Sequence, residues 1–248
     1  MGTNVQSFAV TNLRRRPIAL EVGPFVVGLE PTTTSPLLNY ATPLPGAEPT
    51  DRSVAALITA FRERGLQPRL EFAPDAAPAV EPALRRAGFT TEARNEYLVC
   101  TPSTLALPAG VGVETPGTDD EYAQIDAALS EAFGGEFPPS RDGADRLRRI
   151  EDTGGAVRFV RASDGGCAGA GTCSPLAEGT AELAGVGTRP EYRGRGIGGA
   201  VTAALTAALL DRGASSVWLE YGGDGSRRVY ERVGFRPGGT RLYLSLVD

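Results

Sequence analysis

The pattern of apolar and polar residues along the chain predicts its helices and strands. Apolar residues spaced three or four apart indicate helices, and short apolar runs indicate strands. Over residues 51–64, apolar residues recur at the helical spacing, which predicts a helix whose buried face is formed by Val54, Leu57, Ile58 and Phe61. A second helix is predicted over 78–87. Short apolar runs predict the strands of the same half: two within 17–30, one over 70–72 and one over 95–100.

The second half of the chain alternates between strands and amphipathic helices. Thr118 and Glu121 have the spacing of a capping box, and the helix that they open has a buried stripe of Tyr122, Ile125, Leu129 and Phe133. Ser140 opens another helix, and a third is predicted over 200–212. Apolar runs predict strands over 111–113, 156–161, 167–173, 180–187, 217–221 and 242–247. This order predicts a mixed α/β fold with helices flanking a mixed sheet.

The order of elements in the first half recurs in the second. Three short segments have counterparts at nearly the same intervals: Arg64-Gly65 and Arg212-Gly213, Leu70-Glu71-Phe72 and Leu219-Glu220-Tyr221, and Gly88-Phe89 and Gly234-Phe235. This recurrence predicts an internal duplication. Residues 101–110, which are rich in proline and small residues, form the predicted linker, so the predicted domains are residues 1–100 and 111–248.

A stretch rich in glycine and arginine, residues 188–199, stands between the strand predicted over 180–187 and the helix predicted over 200–212. The start of a helix presents backbone N–H groups and the positive end of the helix dipole, which together bind anions. Glycines allow the backbone to approach a phosphate closely, and Arg193 and Arg195 carry donors suited to phosphate. The stretch therefore predicts a pyrophosphate site.

Two other phosphate-binding motifs fit this stretch less well. Gly194-x-Gly196-x-x-Gly199 is formally the fingerprint of a dinucleotide-binding domain, and Glu220 follows where a ribose ligand would stand. However, several residues separate the strand from the first glycine, and too little sequence follows for the remaining βαβ units of such a domain. The chain has no lysine, which excludes the phosphate-binding loop of nucleotide triphosphatases.

The motif Arg193-x-x-Gly196-x-Gly198, between a strand and an amphipathic helix, resembles the acyl-CoA loop of the GNAT superfamily of N-acyltransferases. Further on, Tyr230-x-x-x-Gly-Phe resembles the ending typical of that superfamily. The resemblance covers residues 111–248. The first half repeats the order of the second and so also resembles a GNAT unit, which implies two units in tandem, of which the second is complete. The first is degenerate, because Leu84 replaces the tyrosine and the glycine-arginine loop is missing.

The resemblance also implies a cofactor and a reaction. Acetyl-CoA is the expected co-substrate, and its acetyl group passes directly to an amine without a covalent enzyme intermediate. The residues expected to contact the cofactor are Val186, Gly187, Thr188, Arg193, Gly194, Arg195, Gly196, Ile197, Gly198, Gly199, Asp224 and Tyr230. The superfamily often has an asparagine seven residues before the tyrosine, where this chain has Gly223 beside Asp224. Asp224 is also the expected N-cap of the last helix.

Tyr230 is the candidate acid for the leaving thiolate. A tyrosine phenol has a reference pKa of about 10, so it is protonated at neutral pH and can donate to sulfur. The alternative is a purely structural role for Tyr230 as a core aromatic residue near Val233. The backbone N–H groups of residues 186–188 are expected to polarise the thioester carbonyl. The strand that carries them is expected to separate from its neighbour and to pair with the pantetheine arm.

Several acidic residues are candidates for the general base. Glu182 lies on the strand before the loop, and Glu220 lies at the end of the next strand. Glu71 is the counterpart of Glu220 in the degenerate copy, which favours an architectural role for that position. Glu136 and Asp142 stand at a break between two helices and are expected to line the acceptor site. A chain of water molecules is a further alternative.

Composition narrows the chemistry and the partners. The chain of 248 residues has no histidine and three cysteines without metal-ligand spacing, so no metal is expected and histidine-based triads are excluded. The net charge of −5 disfavours nucleic acid as a partner. No apolar run approaches the about 20 residues of a membrane span, and the N-terminal sequence lacks a secretory signal. A cytoplasmic monomer or homodimer without membrane contact is the expectation.

Three functions remain open at this point. The first is acetyl transfer to a small-molecule amine, the second is transfer to a protein amine, and the third is acyl-CoA binding without catalysis. The presence of Tyr230 beside a complete loop favours an enzyme, because a binding module does not need an acid. We therefore expect an N-acetyltransferase that acts on a small amine.

Overall fold

The computed structural model of the chain describes residues 2–108, 110–135 and 138–247, apart from the side chains of residues 2 and 3. Within these ranges the helices are α1 (Gly2–Arg14), α2 (Asp51–Arg62), α3 (Val80–Arg86), α4 (Asp119–Ala132), α5 (Arg141–Asp152), α6 (Ile197–Asp211) and α7 (Asp224–Val233). The strands are β1 (Ile18–Val22), β2 (Phe25–Leu29), β3 (Tyr40–Pro43), β4 (Arg69–Phe72), β5 (Thr90–Cys100), β6 (Ala156–Arg161), β7 (Cys167–Cys173), β8 (Thr180–Thr188), β9 (Ser216–Glu220) and β10 (Arg236–Ser245). None of these helices, over the residues described, is long and apolar enough to cross a membrane.

Hydroxyl side chains begin three of the helices. Thr118 Oγ1 accepts a hydrogen bond from Glu121 N (3.3 Å) and Glu121 Oε2 accepts one from Thr118 N (3.1 Å), which is the predicted capping box of α4. Ser140 caps α5, as predicted. Thr50 and Ser53 cap α2 in the same reciprocal way as the residues of α4. These bonds satisfy N–H groups that have no partner within a helix.

The first of two compact units consists of Met1–Tyr97 and Gly238–Asp248. Its strands lie in the order β1-β2-β3-β4-β10-β5, with β3 parallel and β10 antiparallel to β4. Helices α2 and α3 cover one face of this sheet over an apolar core that includes Phe61 and Leu70. On the other face, α1 packs over a smaller cluster that includes Leu13.

The second compact unit, Leu98–Pro237, has the mixed α/β architecture that the sequence predicts. Its strands lie in the order β5-β9-β8-β7-β6, and β8 is parallel to β9 and antiparallel to β7. Helix α6 packs on one face against a core that includes Leu183 and Val217. Helices α4 and α5 pack on the other face against a cluster that includes Phe159 and Ala170. The interior strand β8 is therefore covered by helices on both faces.

One order of elements occurs twice, as β3-α2-β4-α3-β5 and again as β8-α6-β9-α7-β10. The helices α3 and α7 end in the same turn, in which Phe89 N donates to Leu84 O and Phe235 N donates to Tyr230 O, both at 3.1 Å. The residue before each phenylalanine is a glycine, with φ of 92° in the first copy and 108° in the second. This left-handed conformation favours glycine. The shared turn supports the internal duplication.

Helix α1 is missing from the prediction, although its buried residues Val5, Phe8, Ala9 and Leu13 stand at helical spacing. No acidic residue stands in the first turn, and Gly2, Thr3 and Asn4 are poor helix formers, so the local signal is weak. The helix forms because it buries its apolar face against β2 and β3. Tertiary packing, not propensity, determines this element.

Three other features differ from the prediction. Helix α6 begins at Ile197 rather than at residue 200, because Gly196 serves as its N-cap without any capping side chain. The strand predicted over 111–113 is a single bridge between Glu114 and Phe159. The sequence predicts the last strand as part of the second domain, whereas the structure groups it, from Gly238 onwards, with the first unit. Its pairing with β4, which is distant in sequence, decides this placement.

We expect Gly234→Ala to destabilise the protein more than Gly88→Ala. Both glycines have left-handed φ values, for which an alanine costs about 1–2 kcal/mol. A Cβ at Gly234 would also collide with the Thr104 carbonyl, whereas the nearest atom to a Cβ at Gly88 is the flexible end of Leu246, 3.3 Å away. Urea unfolding followed by circular dichroism should show an additional loss of about 1–3 kcal/mol for Gly234→Ala. Equal losses would contradict the contact with Thr104.

Candidate functional site

Strand β8 separates from β9 part-way along its length. The two strands pair in parallel at three positions, the last of which joins Glu182 to Trp218. Beyond Glu182, the described residues of the two strands contain no further pair. Ala184 and Gly185 are exposed, although β8 is an interior strand. The separation agrees with the prediction for this strand, and it leaves an opening at the centre of the sheet.

A β-bulge accompanies this separation. The register between β7 and β8 shifts between Ala170, which pairs with Gly187, and Thr172, which pairs with Ala184. Gly185 lies within the bulge and has φ of 62°, a value that favours glycine. Thr172 Oγ1 donates to Ala184 O at 3.0 Å and holds the bulged strand. Because a bulge bends its strand, the end of β8 turns away from β9.

The turn after β8 opens α6 without a capping side chain. Gly194 and Gly196 have left-handed φ values of 77° and 79°, and Gly196 is the N-cap. Ala200 N donates to Gly196 O at 3.0 Å in the first helical bond, so the N–H groups of residues 197–199 have no partner within the helix. A Cβ at Gly194 would meet no neighbouring atom within 4 Å. This helix start has the open, electropositive geometry of an anion site.

A cavity of about 470 Å³ lies at the start of α6. Seven residues singled out in the sequence line it: Thr188, Arg193, Gly194, Gly196, Ile197, Gly198 and Gly199. Five others lie outside its lining: Val186, Gly187, Arg195, Asp224 and Tyr230. Pro108 and three residues of α7, Val229, Arg232 and Val233, also line the cavity, and sequence reasoning missed these contributions. The helical spacing of the three α7 residues was the available signal.

The two loop arginines donate to backbone carbonyl groups of the chain. Arg193 donates from Nε to Thr188 O (3.2 Å) and from Nη2 to Ala132 O (3.0 Å). Arg195 donates from Nη2 to Glu191 O (3.0 Å). The sequence predicted that both would supply donors to a phosphate. These bonds use two N–H groups of Arg193 and one of Arg195, whereas a guanidinium group carries five. A phosphate contact by either arginine therefore stays a prediction.

Arg232 supplies an uncommitted cation to the cavity lining. It is exposed on α7, and it makes no hydrogen bond or ion pair with any residue in the described ranges. Asp224 is placed differently from its prediction: Gly223, with φ of 150°, is the N-cap of α7, and Asp224 is its exposed first residue. The flexible glycine takes the cap position, so the Asp224 carboxylate accepts no capping bond.

Tyr230 combines a packing role with a free hydroxyl. Its ring packs at the edge of the core under α6, with its centroid 6.1 Å from that of Phe235 and an angle of 60° between the rings. Burial raises the pKa of the Tyr230 phenol above its ordinary value. No residue in the described part of the chain hydrogen-bonds its hydroxyl group. The phenol is therefore protonated at neutral pH and available as a donor.

Residues 122–235 match the sequence model of the acetyltransferase (GNAT) family. This segment is a GNAT domain. The match contains the loop, α6, α7 and the Gly-Phe turn, and it confirms the resemblance drawn from the two motifs. A comparison with curated proteins found no match.

Solved structures share the fold of the whole chain. A GCN5-related N-acetyltransferase from Kribbella flavida has 25% sequence identity and a TM-score of 0.82, over 100% of this chain and 96% of that protein. A GCN5-related N-acetyltransferase from Sphaerobacter thermophilus has 16% identity and a TM-score of 0.63, over 90% of this chain and 76% of that one. A tandem GNAT protein from the clavulanic acid biosynthesis pathway has 15% identity and a TM-score of 0.63, over 98% and 87%. The last two similarities concern the fold alone.

In this GNAT domain, the candidate bases and the candidate acid lie on opposite faces of the sheet. Glu182 stands beside Trp218 in the register, and Glu220 follows on the same face by the alternation of a strand. The neighbouring Val217 belongs to the core under α6, on the other face. Tyr230 belongs to α7, which packs against α6. The carboxylates of Glu182 and Glu220 therefore lie on one side of the opening between β8 and β9, and Tyr230 lies on the other side.

A second cavity of the GNAT domain, of about 240 Å³, lies among α4, α5, β7 and β8. Its lining combines four apolar residues with four polar or charged ones and a glycine: Leu129, Phe133, Leu147 and Ile150, then Asp126, Ser130, Arg146 and Thr172, and Gly185. Asp126 was missed by sequence reasoning, although a polar residue inside the apolar stripe of α4 was a visible signal. Its Oδ2 accepts a bond from Ser140 N at 2.8 Å. Asp142 is exposed and outside this lining, and Glu136 lies outside the described residues.

Proposed function

We propose that the second unit is an acetyl-CoA-dependent N-acetyltransferase that acts on the amine of a small molecule. The observation that carries this proposal is the uncapped start of α6, beside the exposed part of an interior strand. CoA has two matching parts. Its pyrophosphate suits the N–H groups of residues 197–199, and its amide-containing pantetheine arm suits the unpaired edge of β8 at residues 184–188. The GNAT match over residues 122–235 supports the same ligand.

The proposed reaction is a direct transfer. The neutral amine attacks the thioester carbonyl carbon, a C–N bond forms and the C–S bond breaks, and the amine loses a proton while the CoA sulfur gains one. Backbone N–H groups of residues 186–188 polarise the carbonyl oxygen. Tyr230 donates the proton to sulfur. Glu182 or Glu220, directly or through water, accepts the proton from the amine.

The protein's own thiols are unsuited to carrying the acetyl group. Cys100, Cys167 and Cys173 are free and buried. Burial raises the pKa of Cys167 to about 11 and raises that of Cys100 above its ordinary value. A thiol is nucleophilic as the thiolate, so these residues are unreactive at neutral pH. Direct attack by the acceptor amine fits this environment better than an acyl-enzyme.

The cavity of about 240 Å³ is the proposed acceptor site. It includes Gly185 of the β8 bulge, which places it beside the strand proposed to bind pantetheine. The volume is below the about 300–1,000 Å³ of pockets for drug-sized ligands, which supports a small amine. Its apolar walls and the carboxylate of Asp126 suit an amine with an apolar body. These features favour a small molecule over a protein amine as the acceptor.

Gly198→Asp tests the phosphate site. Gly198 is helical and its nearest neighbour would be Thr188 Oγ1, 3.8 Å from an added Cβ, so the substitution introduces no strain. An aspartate in the first turn of a helix stabilises it by about 0.3–1 kcal/mol, but its charge repels a pyrophosphate. We expect an unchanged or higher melting temperature without ligand, and CoA binding weakened by about 100-fold or more in calorimetry.

Gly198→Asn is the matched control, because it has the same size and no charge. It should weaken CoA binding much less than Gly198→Asp does. If both variants lose the same CoA affinity, the size of the new side chain, and not its charge, is what weakens binding at this position. If Gly198→Asp binds CoA with the affinity of the parent protein, the pyrophosphate does not bind at the start of α6.

We expect one CoA per chain. In the first unit, a capping box of Thr50 and Ser53 stands at the start of α2, where the corresponding start of α6 has only the glycine Gly196. Glu71, the counterpart of Glu220, forms an ion pair with Arg69 at 2.5 Å. Calorimetric titration with CoA should therefore give a stoichiometry near one, and a value near two would show that the first unit also binds the cofactor.

We expect Tyr230→Phe to slow catalysis without unfolding the protein. The variant keeps the ring that packs near Phe235 and loses only the proton donor. General acid catalysis contributes about 10²–10⁴-fold, so turnover should fall by that factor, with CoA affinity and melting temperature near those of the parent. The rate would be measured with an acceptor found by thermal-shift screening of amines in the presence of CoA.

Two results would count against Tyr230 as the acid. A large loss of stability with little loss of specific activity would make Tyr230 a packing residue. Unchanged chemistry in the first turnover of a well-folded variant would mean that the thiolate leaves without help from the phenol. A rapid-quench measurement of the first turnover separates slowed chemistry from slow product release.

A further inference from the structure

A positively charged side chain from a distant segment of the chain caps the last turn of α4. This helix begins with three acidic residues, 119–121, and has no basic residue in its last turn. The carbonyl groups of a last turn have no partner within the helix and interact favourably with cations. Arg193 fills this position, because its Nη2 donates to Ala132 O at 3.0 Å across 61 residues of sequence. The arginine of the loop motif thus caps another helix.

Arg189 makes a second contact with the same turn. Its Nε donates to Glu131 Oε2 at 2.9 Å. Its guanidinium also forms ion pairs with Glu191 at 2.6 Å and with Asp164 at 3.7 Å. The segment between β8 and α6 therefore holds the last two residues of α4 with two arginine side chains.

Arg193 also joins this turn to the end of β8. Its Nε donates to Thr188 O at 3.2 Å, so one guanidinium group bonds to the last residues of both β8 and α4. The guanidinium is planar and its donors have fixed directions, so it sets the relative position of the two carbonyl groups. The packing beneath is close, since a Cβ at Gly187 would stand 2.8 Å from Ala132 Cβ and 3.0 Å from Leu129 Cδ2.

The same turn of α4 forms a wall of the proposed acceptor cavity. Leu129, Ser130 and Phe133 line that cavity. The side chain of Phe133 is largely exposed, at 55%, so its own packing contributes little to its position. The position of the last turn of α4 therefore determines the width of the cavity, and Arg193 and Arg189 hold this turn.

We propose that Arg193 is a positioning residue that couples CoA binding to the order of the acceptor cavity. This inference rests on the proposed function. Phosphates bound to the N–H groups of residues 197–199 restrain the loop backbone, and Arg193, at the start of that loop, is restrained with it. Its bonds to Thr188 and Ala132 then restrain the last turn of α4. Such coupling requires a loss of motion and no change of average structure. By linkage, the acceptor raises the affinity for CoA by the same factor.

Hydrogen exchange followed by mass spectrometry tests the coupling, with CoA as the probe. In the parent protein, CoA at a concentration shown to be saturating by calorimetry should slow exchange in peptides covering residues 129–135 by about tenfold, as expected for one hydrogen bond to a charged group. In Arg193→Gln at its own saturating CoA concentration, the slowing in 129–135 should fall below about twofold. The slowing in peptides covering 197–199 should remain.

Two variants serve as controls. Arg195→Gln removes the same charge from the same loop, but Arg195 donates to Glu191 O within the loop itself, so this variant should keep the CoA-dependent slowing in 129–135. Arg193→Lys keeps the charge and loses the two donors in fixed directions. It should recover only part of the slowing, and it replaces Arg193→Gln if that variant does not fold.

Four other outcomes would contradict the coupling or the proposed function. A parent protein that binds CoA without slower exchange in 129–135 refutes the coupling and leaves the proposed function intact. If CoA slows exchange in residues 129–135 equally in the parent and in Arg193→Gln, Arg193 does not carry the coupling. Faster exchange in Arg193→Gln by the same factor with and without CoA makes Arg193 a structural cap only. A parent protein that does not bind CoA refutes the proposed function, and this inference with it.

Discussion

The separation of β8 from β9 is the constraint on which the rest of the GNAT domain depends. Parallel strands normally satisfy each other's backbone groups, but here the pairing stops at Glu182. The bulge at Gly185 and the bond from Thr172 Oγ1 to Ala184 O bend β8 away. The bend leaves exposed backbone in an interior strand and directs the following turn into the start of α6. Without this bend, β8 and β9 would stay paired, and the N–H groups at the start of α6 would face no opening in the sheet.

The two copies of the repeated unit differ in how they satisfy one helix start. In the first copy, Thr50 Oγ1 accepts a bond from Ser53 N of α2, and Ser53 Oγ accepts one from the N–H group of the N-cap, Thr50. In the second copy, Gly196 begins α6 and leaves the corresponding groups open. A glycine at the N-cap costs only about a few tenths of a kcal/mol relative to a capping side chain, so the open start of α6 gives up little stability. The two units therefore differ at this position: the helix start of the first has a capping box, and the helix start of the second is open to a ligand.

The loop arginines show why a motif does not determine the partner of each side chain. Arginine donors suit phosphate, and they suit backbone carbonyl groups at a helix end equally well. Arg193 is close enough to α4 to cap it, and Arg195 bonds within the loop. In the proposed function, the backbone N–H groups of residues 197–199 bind the pyrophosphate, and Arg232 is the nearby cation without a hydrogen bond or ion pair to any described residue. Backbone groups are rigid and therefore well suited to this task.

The sequence by itself determined the features that depend on neighbouring residues. The capping box of α4 and the strand–loop–helix order around Gly196 are local, so their residue types predicted them. Tertiary structure alone decided the features that join distant segments. These are the pairing of β10 with β4, the contact of Arg193 with Ala132 and the cavity that includes Asp126. No periodicity or spacing records such contacts, because each depends on where the fold brings two remote segments together.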